Sequence, residues 1–89
     1  MDKLRRYGHV PGGCKLAKWR EEEGLTQFQL AQRTGISPTT ICAIENGDRL
    51  PHTTDTCARI QLATEGHVCV YDWIDWRAVN EEITKRLPS

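Results

Sequence analysis

No stretch of this chain approaches the roughly 20 consecutive apolar residues needed to cross a bilayer. The N-terminal MDKLRRYGHVPGG also lacks the apolar run of a secretory leader. A cytoplasmic location with no membrane partner is the expectation. Cysteine occurs four times, at Cys14, Cys42, Cys57 and Cys69, but never as a CxxC pair. Cys42 and Cys57 fall on helical stripes that suit a small apolar residue, so buried free thiols are expected rather than a disulfide framework or zinc. His9, His52 and His67 sit in loop-like sequence and are not paired at ligand spacing. No metal and no cofactor are expected. A glycine-rich phosphate loop is missing, as is any Ser/His/Asp, Cys/His or paired-carboxylate arrangement, so the enzyme class is set aside. The run Glu21-Glu22-Glu23 reads as a surface cluster at a helix end, with no functional role assigned.

Net charge is lacking too: 12 Lys and Arg balance 12 Asp and Glu. That speaks against a phosphate-binding surface, which ordinarily leaves a basic footprint. The distribution speaks the other way. Lys3, Arg5, Arg6, Lys15, Lys18 and Arg20 crowd the first 20 residues against Asp2 alone, while Asp55, Glu65, Asp72, Asp75, Glu81 and Glu82 make the stretch after Leu50 acidic. One end can face phosphate and the other water or a partner; an ordinary mixed surface is the alternative.

With 89 residues, 38% of them hydrophobic, the chain suits one small domain with a modest core. Residues 1–13 hold a basic segment and a Pro-Gly-Gly breaker, and read as an arm that either reaches along a groove or stays disordered. A first helix is expected over residues 14–23, with Leu16, Ala17 and Arg20 on or near its inner face and Gly24 as its stop. Residues 25 to 47, LTQFQLAQRTGISPTTICAIENG, carry the strongest pattern. Thr26 can cap a helix over 27–34 that Gly35 ends. Ser37-Pro38 opens another over 38–46, and Ile41 and Ile44 define its buried side. Two short helices joined through so tight a turn form the helix-turn-helix used in DNA recognition.

Thr53 or Thr54 can cap a fourth helix to about residue 64, with Cys57, Ile60 and Ala63 inward and Gly66 as its end. Residues 67–74, HVCVYDWI, fit either a short strand or a helical turn capped at position 69, and the turn is preferred. Trp76, Val79, Ile83 and Leu87 then share one stripe of a helix over 75–87 that Pro88 ends. Glu81–Lys85 and Glu82–Arg86 are its favourable i,i+4 pairs. The tryptophans Trp19, Trp73 and Trp76 carry much of the apolar area, for which core packing is the ordinary explanation.

The segment LTQFQLAQRTGISPTTICAIENGDRLP resembles the Cro/C1-type, or XRE-like, helix-turn-helix family of phage repressors and bacterial regulators. The matching landmarks are Gly24-Leu25-Thr26-Gln27, Leu30-Ala31, Gly35-Ile36-Ser37, Ile41, Ile44-Glu45-Asn46-Gly47 and Pro51, and the resemblance covers residues 14 to 66. Residues 59–74 look like the tail of phage-type members, with Cys69 standing where the family often has threonine or serine. The resemblance implies an all-α fold: a lambda-repressor-like five-helix helix-turn-helix domain, here with an additional C-terminal helix. The division that follows is a basic arm over 1–13, a DNA-binding domain over 14–66 and a C-terminal extension over 67–89.

The same resemblance implies sequence-specific binding of double-stranded DNA as a homodimer, in the manner of a Cro-like phage or prophage repressor on a palindromic operator. By position, Gln27 would contact a phosphate and brace the recognition helix, Pro38, Thr39, Thr40 and Ala43 would face the major groove, and Ser37 is a further DNA-binding position. Asn46 and Arg49 would hold backbone on the far side. Arg20 and Glu45 match a pair that forms a salt bridge in related repressors. Lys15 and Lys18 are further phosphate candidates, and Gln29, Gln32 and Arg33 are candidates for extra contacts; a solvated face explains all of these equally well. The outward side of the second helix of the motif lacks Arg, Gln and Asn readers before Asn46, so thymine methyls and DNA shape are the expected basis of specificity. Trp73, Trp76, Val79 and Ile83 are the expected dimer interface. A second reading makes the chain an antitoxin that binds its toxin through the last helix and autoregulates its operon.

Overall fold

The computed structural model describes residues 7–51 and 53–87. The arm cations Lys3, Arg5 and Arg6, together with His52 and the helix-ending Pro88, lie outside them. The described residues form α1 (Pro11–Glu22), α2 (Gln27–Thr34), α3 (Pro38–Glu45), α4 (Thr54–Ala63), a 3-10 turn (Val70–Trp73) and α5 (Trp76–Arg86). There is no strand among them, and the fold is all-α as expected. No helix among the described residues is long and apolar enough to cross a membrane.

α2 to α5 each start where a side chain takes up an orphan amide, whereas α1 follows Val10 and opens on Pro11 without a side-chain cap. Thr26 Oγ1 accepts from the Gln29 N–H (3.1 Å) while Gln29 Oε1 accepts from the Thr26 N–H (2.9 Å), closing a capping box on α2. Ser37 caps α3 at the Thr40 N–H (3.2 Å), with Pro38 in the first turn. Thr53 caps α4 and Asp75 caps α5 in the same way. The 3-10 turn is held from its other side: Asp72 Oδ2 accepts from the Cys69 N–H at 2.9 Å.

α1 starts three residues earlier than the sequence suggested. Pro11-Gly12-Gly13, expected to break the chain, opens the helix, because proline in the first turn needs no amide partner. The two glycines are there for contact. A Cβ on Gly12 would stand inside the Trp73 ring, and one on Gly13 would meet the Ile44 carbonyl oxygen. Tyr7 N–H donates to the Gly47 carbonyl (2.8 Å) and Val10 is buried, so both residues pack against the helices that follow.

The core joins Leu16 and Trp19 of α1, Leu30 and Ala31 of α2, Ile41 and Ile44 of α3, Ile60 of α4, and Val68 and Trp73 beyond it. Side chains on both sides of residue 66 thus share this core. After α4 the chain turns through left-handed Glu65 and Gly66 (φ 54° and 85°). Buried Thr64 donates to the Ile60 carbonyl (2.9 Å) and accepts from the Val68 N–H (3.1 Å), seating Val68 in the core. Trp73 is only 7% exposed, so it packs inside the chain and is not available to a dimer interface.

α5 differs from the other helices in that none of its residues is buried. Its stripe of Trp76, Val79, Ile83 and Leu87 is uncovered, at 53%, 37%, 52% and 62% exposure. Lys85 and Arg86 both approach Glu82, at 3.7 Å, so the expected Glu81–Lys85 pair is replaced by an i,i+3 pair. His9 Nε2 meets Asp75 Oδ1 at 2.8 Å where α5 begins. The four cysteines are free. The expectation of buried thiols fails: Cys14 is exposed and Cys42, Cys57 and Cys69 are half-buried. Cys57 packs against the core, and burial pushes its thiol up from the ordinary value.

Candidate nucleic-acid interface

The turn between α2 and α3 is three residues, Gly35-Ile36-Ser37. Gly35 is left-handed (φ 74°), and its N–H donates to the Ala31 carbonyl (2.8 Å) to end α2. Thr34 is buried beneath the turn, donating to the Leu30 carbonyl (2.9 Å) and accepting from the Ile36 N–H (3.2 Å). From α4, Arg59 reaches over Gly35 and donates to the Thr34 carbonyl at 3.3 Å, while Asp55 accepts from its Nε at 2.7 Å. The turn is thus clamped from behind. Sequence reading missed this use of Arg59, whose only local sign is an aspartate four residues earlier.

A second clamp fixes the other end of α3. Arg20 of α1 donates from Nε to Glu45 Oε2 (2.7 Å), from Nη2 to Glu45 Oε1 (3.1 Å) and from Nη1 to the Leu25 carbonyl (2.8 Å). Gln27 Nε2 adds a donor to Glu45 Oε1 at 3.0 Å. The Glu45 side chain is 3% exposed, so its charge is matched by bonded donors rather than by water. The hydrogen bond to Glu45 raises the Arg20 guanidinium further above its ordinary value, against the opposing effect of burial. Gln27 braces α3 from the first turn of α2 while remaining partly exposed.

Between the clamps, α3 turns Ile41 and Ile44 inward and leaves Pro38, Thr39 and Asn46 exposed, with Ala43 half-buried. Ser37 and Arg49 lie exposed at the two ends of the helix. Thr40 sits differently. It accepts from the Ser37 hydroxyl (2.8 Å) and lines a cleft of about 300 Å³ with Gly35, Ile36, Leu50, Pro51 and Arg59. Of the phosphate candidates, Lys15 ion-pairs with Asp72 at 2.9 Å and Lys18 is exposed. Gln29, Gln32 and Arg33 are exposed on α2, as is Phe28 at 60%.

Such a scaffold can present one helix, rigidly, to a groove: its back is core, both its ends are tied, and its free side bears small polar and methyl-bearing groups. A family model described as a helix-turn-helix domain matches residues 13–63, from the first turn of α1 to the end of α4. No curated protein and no solved structure matches the chain. The chain belongs to the helix-turn-helix domain family.

Proposed function

We propose that the protein is a transcriptional regulator that binds a palindromic operator in double-stranded DNA as a homodimer, in the manner of a Cro-like phage or prophage repressor. What carries this reading is α3, held at both ends within a helix-turn-helix domain with the side away from Ile41 and Ile44 turned to solvent. Thr39 can hydrogen-bond a base or touch a thymine methyl, and Ala43 offers an apolar contact to the same group. Gln27 keeps a second amide N–H beyond the one directed at Glu45, beside an α2 N-terminus that favours phosphate. Asn46 and Arg49 would hold backbone at the far end.

The protein acts by occupying its site, not by catalysis, and works in the cytoplasm. Two copies would place their α3 helices about 34 Å apart, one turn of DNA. The uncovered stripe of Trp76, Val79 and Ile83 supports α5 as the surface that joins them. The same stripe favours a second reading, an antitoxin whose α5 holds a toxin. Co-purification of a small partner with the chain, in place of a dimer, would select it.

Selection of bound duplexes from a random pool tests the main reading. Enrichment of one site with two-fold symmetry is expected; a pool that never departs from random contradicts it.

A further inference from the structure

At about 100° per residue, the direction opposite Ile41 and Ile44 is occupied by Thr39, Cys42, Ala43 and Asn46. Thr40 lies on one flank of that row, drawn into the cleft against α4. Thr39 and Asn46 lie nearest that direction, with Cys42 and Ala43 about 50° to either side, so Cys42 borders the outward side at a place where its apolar character suggested a buried thiol. It is half-buried among its helical neighbours, and its sulfur accepts from Asn46 Nδ2 at 3.4 Å. With one amide hydrogen directed back along α3, Asn46 is left with its carbonyl oxygen and its second N–H for an outside partner.

We infer that Cys42 is a specificity-determining residue of the DNA-reading face, recognising a thymine methyl and orienting Asn46 beside it. The inference rests on α3 being the groove-facing helix. Its chemistry is that of a weak acceptor. A thiol packs well against a methyl group but satisfies poorly the exocyclic amino group of adenine or cytosine, which would be desolvated beside it without a good partner. With the methyls of Thr39 and Ala43, the sulfur extends an apolar row that ends at Asn46. Asn46 would then hold the DNA backbone at the end of this row, its position set by the residue one turn before it.

The test compares sites selected from random duplex DNA by the wild-type chain, Cys42→Ser, Cys42→Ala and, as a control at an exposed thiol, Cys14→Ser. Cys42→Ser and Cys42→Ala are expected to lose about tenfold of the preference for thymine at one base pair of each half-site, the scale of a single mismatch. Cys14→Ser should recover the wild-type site. A second measurement uses the unaltered protein: maleimide labelling, read peptide by peptide, should slow about tenfold at Cys42 but not at Cys69 when the selected duplex is bound. Unchanged selected sites for both Cys42 variants, or undiminished labelling of Cys42 on bound DNA, overturns the inference alone. A wild-type chain that enriches no site overturns the regulator reading and this inference with it.

Discussion

Arg20 and Glu45, 25 positions apart in the chain, meet through two hydrogen bonds of 2.7 and 3.1 Å, and the carboxylate is nearly sealed from solvent. This pair ties the end of α3 to α1 and so sets the tilt at which α3 is presented. Removing one partner strands the other. Glu45→Ala is expected to destabilise the fold by about 3 kcal/mol, the scale of a broken buried pair. Asp55→Ala, at the exposed Asp55–Arg59 pair, should cost less than about 1 kcal/mol. Urea unfolding midpoints of the two variants check the ordering, and equal losses would contradict it.

Gly12 and Gly13 should respond to alanine with the opposite sign from ordinary helical glycines. Propensity alone would favour Gly→Ala within a helix by about 1 kcal/mol. Here the added methyl meets the Trp73 ring or the Ile44 carbonyl, and overpacking of that kind costs about 1–3 kcal/mol. Thermal unfolding of Gly12→Ala and Gly13→Ala is expected to show lowered midpoints. A raised midpoint for either would mean that α1 does not approach its neighbours this closely.

Acid should loosen the region around the 3-10 turn and the start of α5. Burial works to raise the Asp72 carboxyl, but the hydrogen bonds from Lys15 and the Cys69 N–H outweigh it, and the group lies below its ordinary range. Asp75 is also lowered, by its hydrogen bond with His9 and then by the Ala78 N–H. Groups depressed in the folded state bind protons more readily when unfolded. Their contribution is therefore complete above the unfolded value of about 3.9 and is lost as pH falls through the lower folded values. Asp72→Asn should flatten the decline in stability below about pH 4, measured as urea midpoint against pH. An unchanged slope would contradict the assignment.

Because no residue of α5 is buried within the chain, Trp76→Glu should leave the helical fold intact by circular dichroism while dissociating the proposed homodimer. Sedimentation equilibrium reads this directly. A wild-type dimer that persists in the variant would place the contact elsewhere.

The caps made much of the fold legible in the sequence. Thr26, Gly35, Ser37-Pro38 and Thr53 each mark a helix boundary by local chemistry, and the helices begin or end beside them. What stayed hidden depended on contacts between distant residues. Pro-Gly-Gly reads as a breaker until Trp73 and Ile44 are seen against the glycines. Trp73 and Trp76 are equally apolar on paper, yet one caps the core and the other is uncovered, because the 3-10 turn packs on α1 and α4 while α5 leaves the domain. At the candidate interface, Thr39, Ala43 and Asn46 are implied by the helix-turn-helix resemblance rather than by periodicity. Neither separates Thr40, which lines the cleft against α4, from Cys42, which lies half-buried beside Asn46.

The central claim, that α3 reads sequence in duplex DNA, is tested most directly by comparing affinity for the selected duplex with affinity for a scrambled duplex at physiological salt. A preference of at least about a thousandfold is expected, the lower range for specific binders. Equal affinity for the two duplexes, weakening together as salt is raised, would reduce the interaction to phosphate contact and contradict the claim.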